Sequence, residues 1–361
     1  MFYIYKYQFI VFFDIKNLNN SIFKLRLQIY NVNLTYIHRA TCLFRTQRLI
    51  PKRIGLDKFP CVFTSDIIVY IERMSYNTFN EDFNFFFSAI ALGYNLPGVS
   101  NLSLSREQIV GIYNGTFLYW NESTFLETNP NSIFPHAKIF VLARADTSGS
   151  TAAFTSALST FSTSWNSTYG MFSGLLNGAW QNGVIAYFAN CNRGMTGFIM
   201  SFPNSVGYIS LSYATDASIT YAKVENKAGY FVLPNISTIQ ESIDFYLNTT
   251  TSLVFPLIDS PAPISYPISL FTYFIFHSDN VDNCYSMAEF VSYIRWIYNN
   301  EDAVKMCSTS GFVPLSERLI RDVETKIIKD LTCGGHTIVK LLENQKVVNR
   351  EESGTLSKSV S

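Results

Sequence analysis

The stretch that most restricts the fold is 137–161, where a compact apolar run, AKIFVLA, passes directly into RADTSGSTAAFTSALSTF. A short uninterrupted apolar run predicts a strand buried on both faces. Small polar residues then lead straight into a helix whose Ala153, Phe154, Ala157 and Leu158 fall on one side. A buried strand feeding a helix through a short loop is the repeating unit of a layered α/β protein.

The alternation recurs along the chain. CVFTSDIIVYI (61–71) reads as a strand with an embedded polar turn, and FFFSAIALGYN (85–95) as a buried strand ending at Pro97-Gly98. Ser105 with Gln108 forms a capping box ahead of EQIVGIY, a short helix stopped by Asn114-Gly115. GVIAYFAN (183–190) reads as helix-like and SVGYISLSYA (205–214) as a strand with a turn. Ser286 begins a helix with Phe290, Ile294 and Ile297 as its apolar stripe. Ser316 begins another, marked by Leu319, Ile320, Val323, Ile327 and Leu331. These signals predict an α/β sandwich without internal repeats, followed beyond Cys333 by a polar tail.

Charge and glycine divide the chain unevenly. Lys+Arg and Asp+Glu both total 27, yet residues 1–58 hold ten basic residues against Asp14 and Asp57, a net +8, leaving −8 for 59–361. Gly55 is the first of 18 glycines and Gly93 the second. The aromatic and basic first segment thus reads as a different kind of sequence. Its cluster Arg45, Arg48, Lys52 and Arg53 reads as a solvated face rather than a nucleic-acid surface.

No run reaches the roughly 18 apolar residues of a membrane span, and the opening MFYIYKYQFIVFF lacks the cleavage site of a signal peptide. Export would therefore be directed by residues outside this chain; otherwise the protein is cytosolic. Six cysteines (42, 61, 191, 284, 307, 333) show no CxxC spacing, and His38, His136, His277 and His336 show no ligand spacing, so no metal site or cofactor is expected. Cys284 and Cys307 flank a helix; they either staple it to the next segment or remain buried thiols. Eight N-glycosylation sequons, at Asn19, Asn33, Asn101, Asn114, Asn121, Asn166, Asn235 and Asn248, hint at secretion.

The candidate chemistry sits at 144–151. A loop after a parallel strand, at a helix N-terminus, collects unpaired N–H groups and the positive end of the helix dipole. Ser148, Ser150 and Thr151 add hydroxyls, and Gly149 permits close backbone approach. Arg144 can offer a two-pronged contact to a tetrahedral oxyanion, with Asp146 holding it in orientation. The loop alone is equally compatible with a Ser/Thr-rich cap beside a surface Arg–Asp pair. No activated nucleophile, P-loop or dinucleotide fingerprint accompanies it, so no enzymatic activity is expected.

Six pieces occur in order: YNLPG (94–98), SREQIVGIYNGTFLYWNES (105–123), RADTSGSTAAFTSALS (144–159), SVGYISLSYA (205–214), YPISLFTYFIF (266–276) and GFVPLSERL (311–319). Together they resemble the phosphate-binding protein family, the solute receptors of bacterial phosphate transporters, with relatives among eukaryotic extracellular proteins. The resemblance implies a two-lobed periplasmic-binding-protein-like α/β sandwich closing on inorganic phosphate. It puts lobe one at 59–91 plus 263–331, lobe two at 92–262 and a polar tail at 332–361. Carried over, the second-lobe site is Arg144, Asp146, Ser148, Gly149 and Ser150, with Thr147 standing where the family often has glycine. The first lobe would contribute the acid of an Ala-Ser-Asp turn, matched here by Ser65-Asp66, whose carboxylate would accept the proton of hydrogen phosphate and repel sulfate.

The family's remaining first-lobe contacts come from two Gly/Ser/Thr-rich loops near the N-terminus, and residues 1–58 contain neither. Hydrogen bonds to a charged ligand contribute about 1.5–3 kcal/mol each. Losing three or four would remove at least about 4 kcal/mol, roughly a thousandfold in affinity. The first lobe is therefore expected to be incomplete or atypical, with 1–58 either foreign to the fold or part of a degenerate relative. The expected function is non-enzymatic phosphate binding by an extracellular binding or sensing module, alternatively an interaction or receptor ectodomain without ligand. A membrane-anchored or signalling domain outside this chain, and a location at the exterior of the membrane, follow from the same resemblance.

Overall fold

The computed structural model describes residues 10–18, 22–30, 37–42, 68–71, 81–174, 180, 183–250, 253, 255–276 and 284–343. Four strands come first: β1 (Ile10–Leu18), β2 (Ile22–Tyr30), β3 (Ile37–Cys42) and β4 (Ile68–Ile71). The long β5 (Glu81–Asn95) precedes β6 (Ser103–Leu104), α1 (Arg106–Asn114) and α2 (Ser123–Thr128). Then follow β7 (Phe140–Arg144), α3 (Gly149–Phe161), α4 (Thr163–Thr168), β8 (Ile185–Ala189), α5 (Cys191–Ser201), β9 (Ser205–Ser210) and α6 (Leu211–Asp216). After β10 (Lys223–Glu225), β11 (Phe231–Val232) and α7 (Ile236–Thr249), the chain returns through β12 (Ser269–Phe276). It closes with α8 (Cys284–Asn299), α9 (Glu301–Thr309), α10 (Glu317–Lys326), β13 (Thr332–Cys333) and β14 (His336–Thr337).

Among the described residues, nine strands form one sheet in the order β3-β2-β1-β4-β12-β5-β9-β7-β8. The central β5 pairs antiparallel with β12 along residues 81–89 and with β9 along 90–95, so one strand ties both halves of the sheet together. Phe87 to Leu92 are almost wholly enclosed, as expected of a strand covered on both faces. β1, β2 and β3 extend the sheet beyond β4, placing parts of the N-terminal segment at its edge.

β7 runs parallel to both β8 and β9. Their C-terminal ends therefore share one edge, and each leads into a helix. The alternation along β9 sorts those helices. Tyr208 stacks on Phe154 of α3, with centroids 4.6 Å apart, and packs against Tyr113 of α1 and Trp180. Its neighbour Gly207 points to the other face, where a Cβ would lie 2.8 Å from Met195 Sδ of α5. Gly207 pairs across the ladder with Gly93, whose added Cβ would sit 3.0 Å from Ile199 of the same helix. Two facing glycines thus let α5 lie close against the sheet opposite α3.

Several local signals act as their chemistry dictates. Ser105 and Gln108 form the reciprocal capping box of α1, which Gly115 ends at φ 84°. Ser316 caps α10 and buries Leu319 and Val323. Three readings need correction. The run 183–190 contains strand β8 rather than a helix, because its short β-branched and aromatic run finds a parallel partner in β7. After β9 the chain forms α6 where a turn was expected. Cys284 is bonded to Cys333, not Cys307, which is a free thiol. The β13–β14 hairpin brings Cys333 beside the first residue of α8, with Cα atoms 5.4 Å apart, whereas Cys307 lies near the far end of α9. Residues Ile338 and Leu342, within the expected polar tail, are buried in the core. No helix among the described residues is long and apolar enough to cross a membrane.

Candidate functional site

β7 ends on Arg144, β8 on Ala189 and β9 on Ser210, and α3 and α5 start just beyond the first two. The first turns of these helices carry N–H groups with no partner inside the helix, so this edge of the sheet favours negative charge. In open α/β sheets, ligands collect outside the carboxyl ends of the strands for this reason.

Arg144 occupies the centre and is only 1% exposed. Its Nε donates to Asp146 Oδ1 at 2.8 Å and its Nη2 to Oδ2 at 2.5 Å, a two-pronged contact. Its Nη1 donates to Asn192 Oδ1 at 3.1 Å, and its backbone N–H to the Tyr208 hydroxyl at 2.9 Å. A buried guanidinium is tolerable only when so paired. The fork that a tetrahedral oxyanion was expected to receive is thus engaged by Asp146, which fixes the plane of the guanidinium.

Asp146 also accepts the backbone N–H of Cys191 at 2.9 Å, at the first residue of α5. Cys191 has φ 59°, the left-handed region unusual for a side chain other than glycine. Burial pushes the Asp146 carboxyl up, but hydrogen bonds and charge from Arg144, with the Cys191 N–H, outweigh it and hold the carboxyl below its usual range.

The loop residues divide by exposure. Ser148 caps α3, its Oγ accepting the Ser150 N–H at 3.1 Å, while its own N–H donates to Ser173 O at 2.7 Å. Ser148, Ser150 and Thr151 are buried, Gly149 is half-buried and Thr147 is exposed. Thr151 Oγ1 lies 2.8 Å from the Tyr208 hydroxyl. Burial pushes the Tyr208 phenol up to about 12 despite its hydrogen bonds with Thr151 and Arg144, so the group is neutral at physiological pH. Asn192 Oδ1 also receives the Ser210 N–H at 3.4 Å, and Ser210 Oγ lies 3.0 Å from Ser212 Oγ.

The structure therefore gathers Arg144, Asp146, Ser148, Gly149 and Ser150 at one strand end. Ser65 and Asp66 lie outside the described residues. Sequence reasoning missed Tyr208 and Asn192. Tyr208 sits inside a recognised strand, where its polar hydroxyl was the available signal. Asn192 was hidden by reading β8 as helix, which erased the strand end that places it. A cavity of about 290 Å³, lined by Asn114, Leu118, Lys138 and Val184, lies towards the opposite, N-terminal end of β7. It does not include any of the Arg144–Thr151 loop residues.

The sequence profile of the PBP superfamily domain matches residues 82–301. The chain is 32% identical over 198 residues to the phosphate-binding protein PstS of Methanocaldococcus jannaschii, covering 52% of this chain and 51% of that protein. It thus spans about half the length of this relative. It is 25% identical over 260 residues to a protein of Acanthamoeba polyphaga mimivirus named as a serine/threonine-protein kinase/receptor, covering 68% of this chain and 15% of that one. Among solved structures, an ancestral soluble variant of the human phosphate binding protein superposes with a TM-score of 0.52 at 16% identity, over 71% of this chain and 75% of that one. That likeness establishes the two-lobed periplasmic-binding-protein-like α/β fold.

Proposed function

Because the chain belongs to the PBP superfamily, we propose that it is a non-enzymatic module that binds inorganic phosphate between its two lobes outside the cell. The observation that carries this reading is the buried Arg144, oriented by Asp146 and Asn192 beside the Ser148–Ser150 start of α3. A fixed cation, two hydroxyls and a helix N-terminus at one point suit a doubly charged tetrahedral anion. In this reading Arg144 supplies the charge, Ser148, Gly149 and Ser150 supply donors, and Asp66 accepts the proton of hydrogen phosphate. Thr147 and Ser65 shape the two loops. Residues 59–361 carry −8, so recognition would rest on these local donors rather than on long-range attraction.

The lobes would comprise 59–91 with 263–331, and 92–262, a division supported by the passage of β5 between two sets of partners. An exterior location is supported by the Cys284–Cys333 disulfide. It is also supported by the exposure of Asn101, Asn114, Asn121, Asn166, Asn235 and Asn248, the sequon asparagines among the described residues, which suits a glycoprotein. Isothermal titration of the full chain with phosphate tests the reading. Saturable heat that Arg144→Ala abolishes is expected; no heat from the wild type rejects it.

The match to a small part of a viral kinase/receptor favours a second reading, an ectodomain that keeps the fold as a sensing or interaction module. Under it, an anion-free edge at Arg144 in crystals grown with phosphate is expected, whereas the first reading places density there.

A further inference from the structure

We propose that the Asn192 side-chain amide is a direct donor to the bound anion, a role that rests on the phosphate reading above and adds a contact from a second helix. Asn192 is fully buried at the second residue of α5, an eleven-residue helix. Its Oδ1 is committed twice, to Arg144 Nη1 at 3.1 Å and to the Ser210 N–H at 3.4 Å. Its Nδ2 has no hydrogen-bond partner.

The amide orientation is determined by its neighbours. Exchanging oxygen and nitrogen would set an NH2 group against two other donors, so the oxygen belongs where it is and the nitrogen stays unmatched in either arrangement. A buried amide nitrogen without a partner is uncommon and calls for a missing acceptor. The chain around it offers donors: the Arg144 guanidinium, the Ser210 N–H, and the Cys191 N–H that Asp146 satisfies. The missing group is therefore an acceptor that tolerates a cation beside it. One oxygen of a tetrahedral oxyanion seated against Arg144 meets that description. A neutral amide reads oxygen without sensing protonation, so Asn192 adds affinity for oxyanions in general and leaves the choice between phosphate and sulfate to an acceptor elsewhere.

The test uses the full chain and inorganic phosphate. Titration calorimetry compares the wild type with Asn192→Ala and with Asn192→Asp, which keeps an oxygen for Arg144 and Ser210 and removes the donor. Each variant is expected to bind about ten- to a hundredfold more weakly, the range for one hydrogen bond to a charged ligand. Added charge alone would weaken the aspartate variant, so the deciding readout is the Asn192 side-chain amide resonance of the wild type, which should shift as phosphate saturates. If the wild type binds, Arg144→Ala does not, and the Asn192 amide stays unmoved, the site stands and this inference falls. If the wild type gives no heat, both fall.

Discussion

Replacing Asp146 with alanine should expose how the Arg144 cluster is held. The two side chains are unequally enclosed: counted over side-chain atoms alone, Arg144 is 2% exposed and Asp146 31%. Removing the carboxylate takes away the acceptor of Arg144 Nε and Nη2, on a side chain almost shut off from water, together with the acceptor of the Cys191 N–H. Breaking a fully buried pair costs about 3–5 kcal/mol, and an exposed pair is worth less than about 1 kcal/mol. With one partner buried and the other partly solvated, about 2–4 kcal/mol is expected. At about 2–4 °C per kcal/mol, that lowers the melting temperature by roughly 5–15 °C. The companion variant carries Arg144→Met together with Asp146→Ala. Removing both charges removes the stranded cation, so the double variant should recover at least about 1 kcal/mol over the single one. The same pair sets a pH dependence. The Asp146 carboxyl lies below its ordinary 3.8 in the folded chain, so its stabilisation is complete above that value and is lost as pH falls through its own lower one. Urea unfolding of the three proteins between neutral and strongly acidic pH measures both effects. A double variant no more stable than Asp146→Ala would refute the argument that an isolated buried Arg144 is the source of the cost.

Tyr208→Phe removes the acceptor of the Arg144 N–H and the partner of Thr151, and should cost about 1–2 kcal/mol by urea unfolding. The wild type should lose stability as pH rises from 10 towards about 12, because the buried phenol stays protonated after the unfolded one has ionised; the variant should lack that component. Reducing the Cys284–Cys333 bond, which spans 49 residues of sequence, should destabilise the chain by about 4 kcal/mol in the loop-entropy account. Mass-spectrometric mapping after alkylation under native, non-reducing conditions should find Cys307 only slowly modified, since burial pushes its thiol up to about 12.

Much of the site was legible because its parts are local. A strand, a small polar loop and a helix cap lie within the short stretch from Phe140 to Ser150, and side chains so close in sequence meet whatever the remainder does. Asp146 reaches Arg144 across two residues, and Ser148 caps its own helix. The capping box at Ser105 and the stop at Gly115 were legible for the same reason. Where reading failed, the deciding interaction was distant. Ile185–Ala189 has no periodicity long enough to separate helix from strand; it is a strand because β7 offers it a parallel partner. The cysteine partner of Cys284 was likewise chosen by a hairpin that returns 49 residues later.

The sequence by itself determined the α/β class, the βα unit at Arg144 and the loop chemistry that points to an anion, because propensity, capping and short-range hydrogen bonding act over a few residues. Only the tertiary structure decided what surrounds Arg144. Parallel pairing of β7 with β8 and β9 brings Asn192 and Tyr208 to the same strand ends from 48 and 64 residues away. Facing Gly93 and Gly207 let α5 come close enough to the sheet to begin there. These choices depend on packing between segments that share no local code, and so they were settled by the energy of the assembled core.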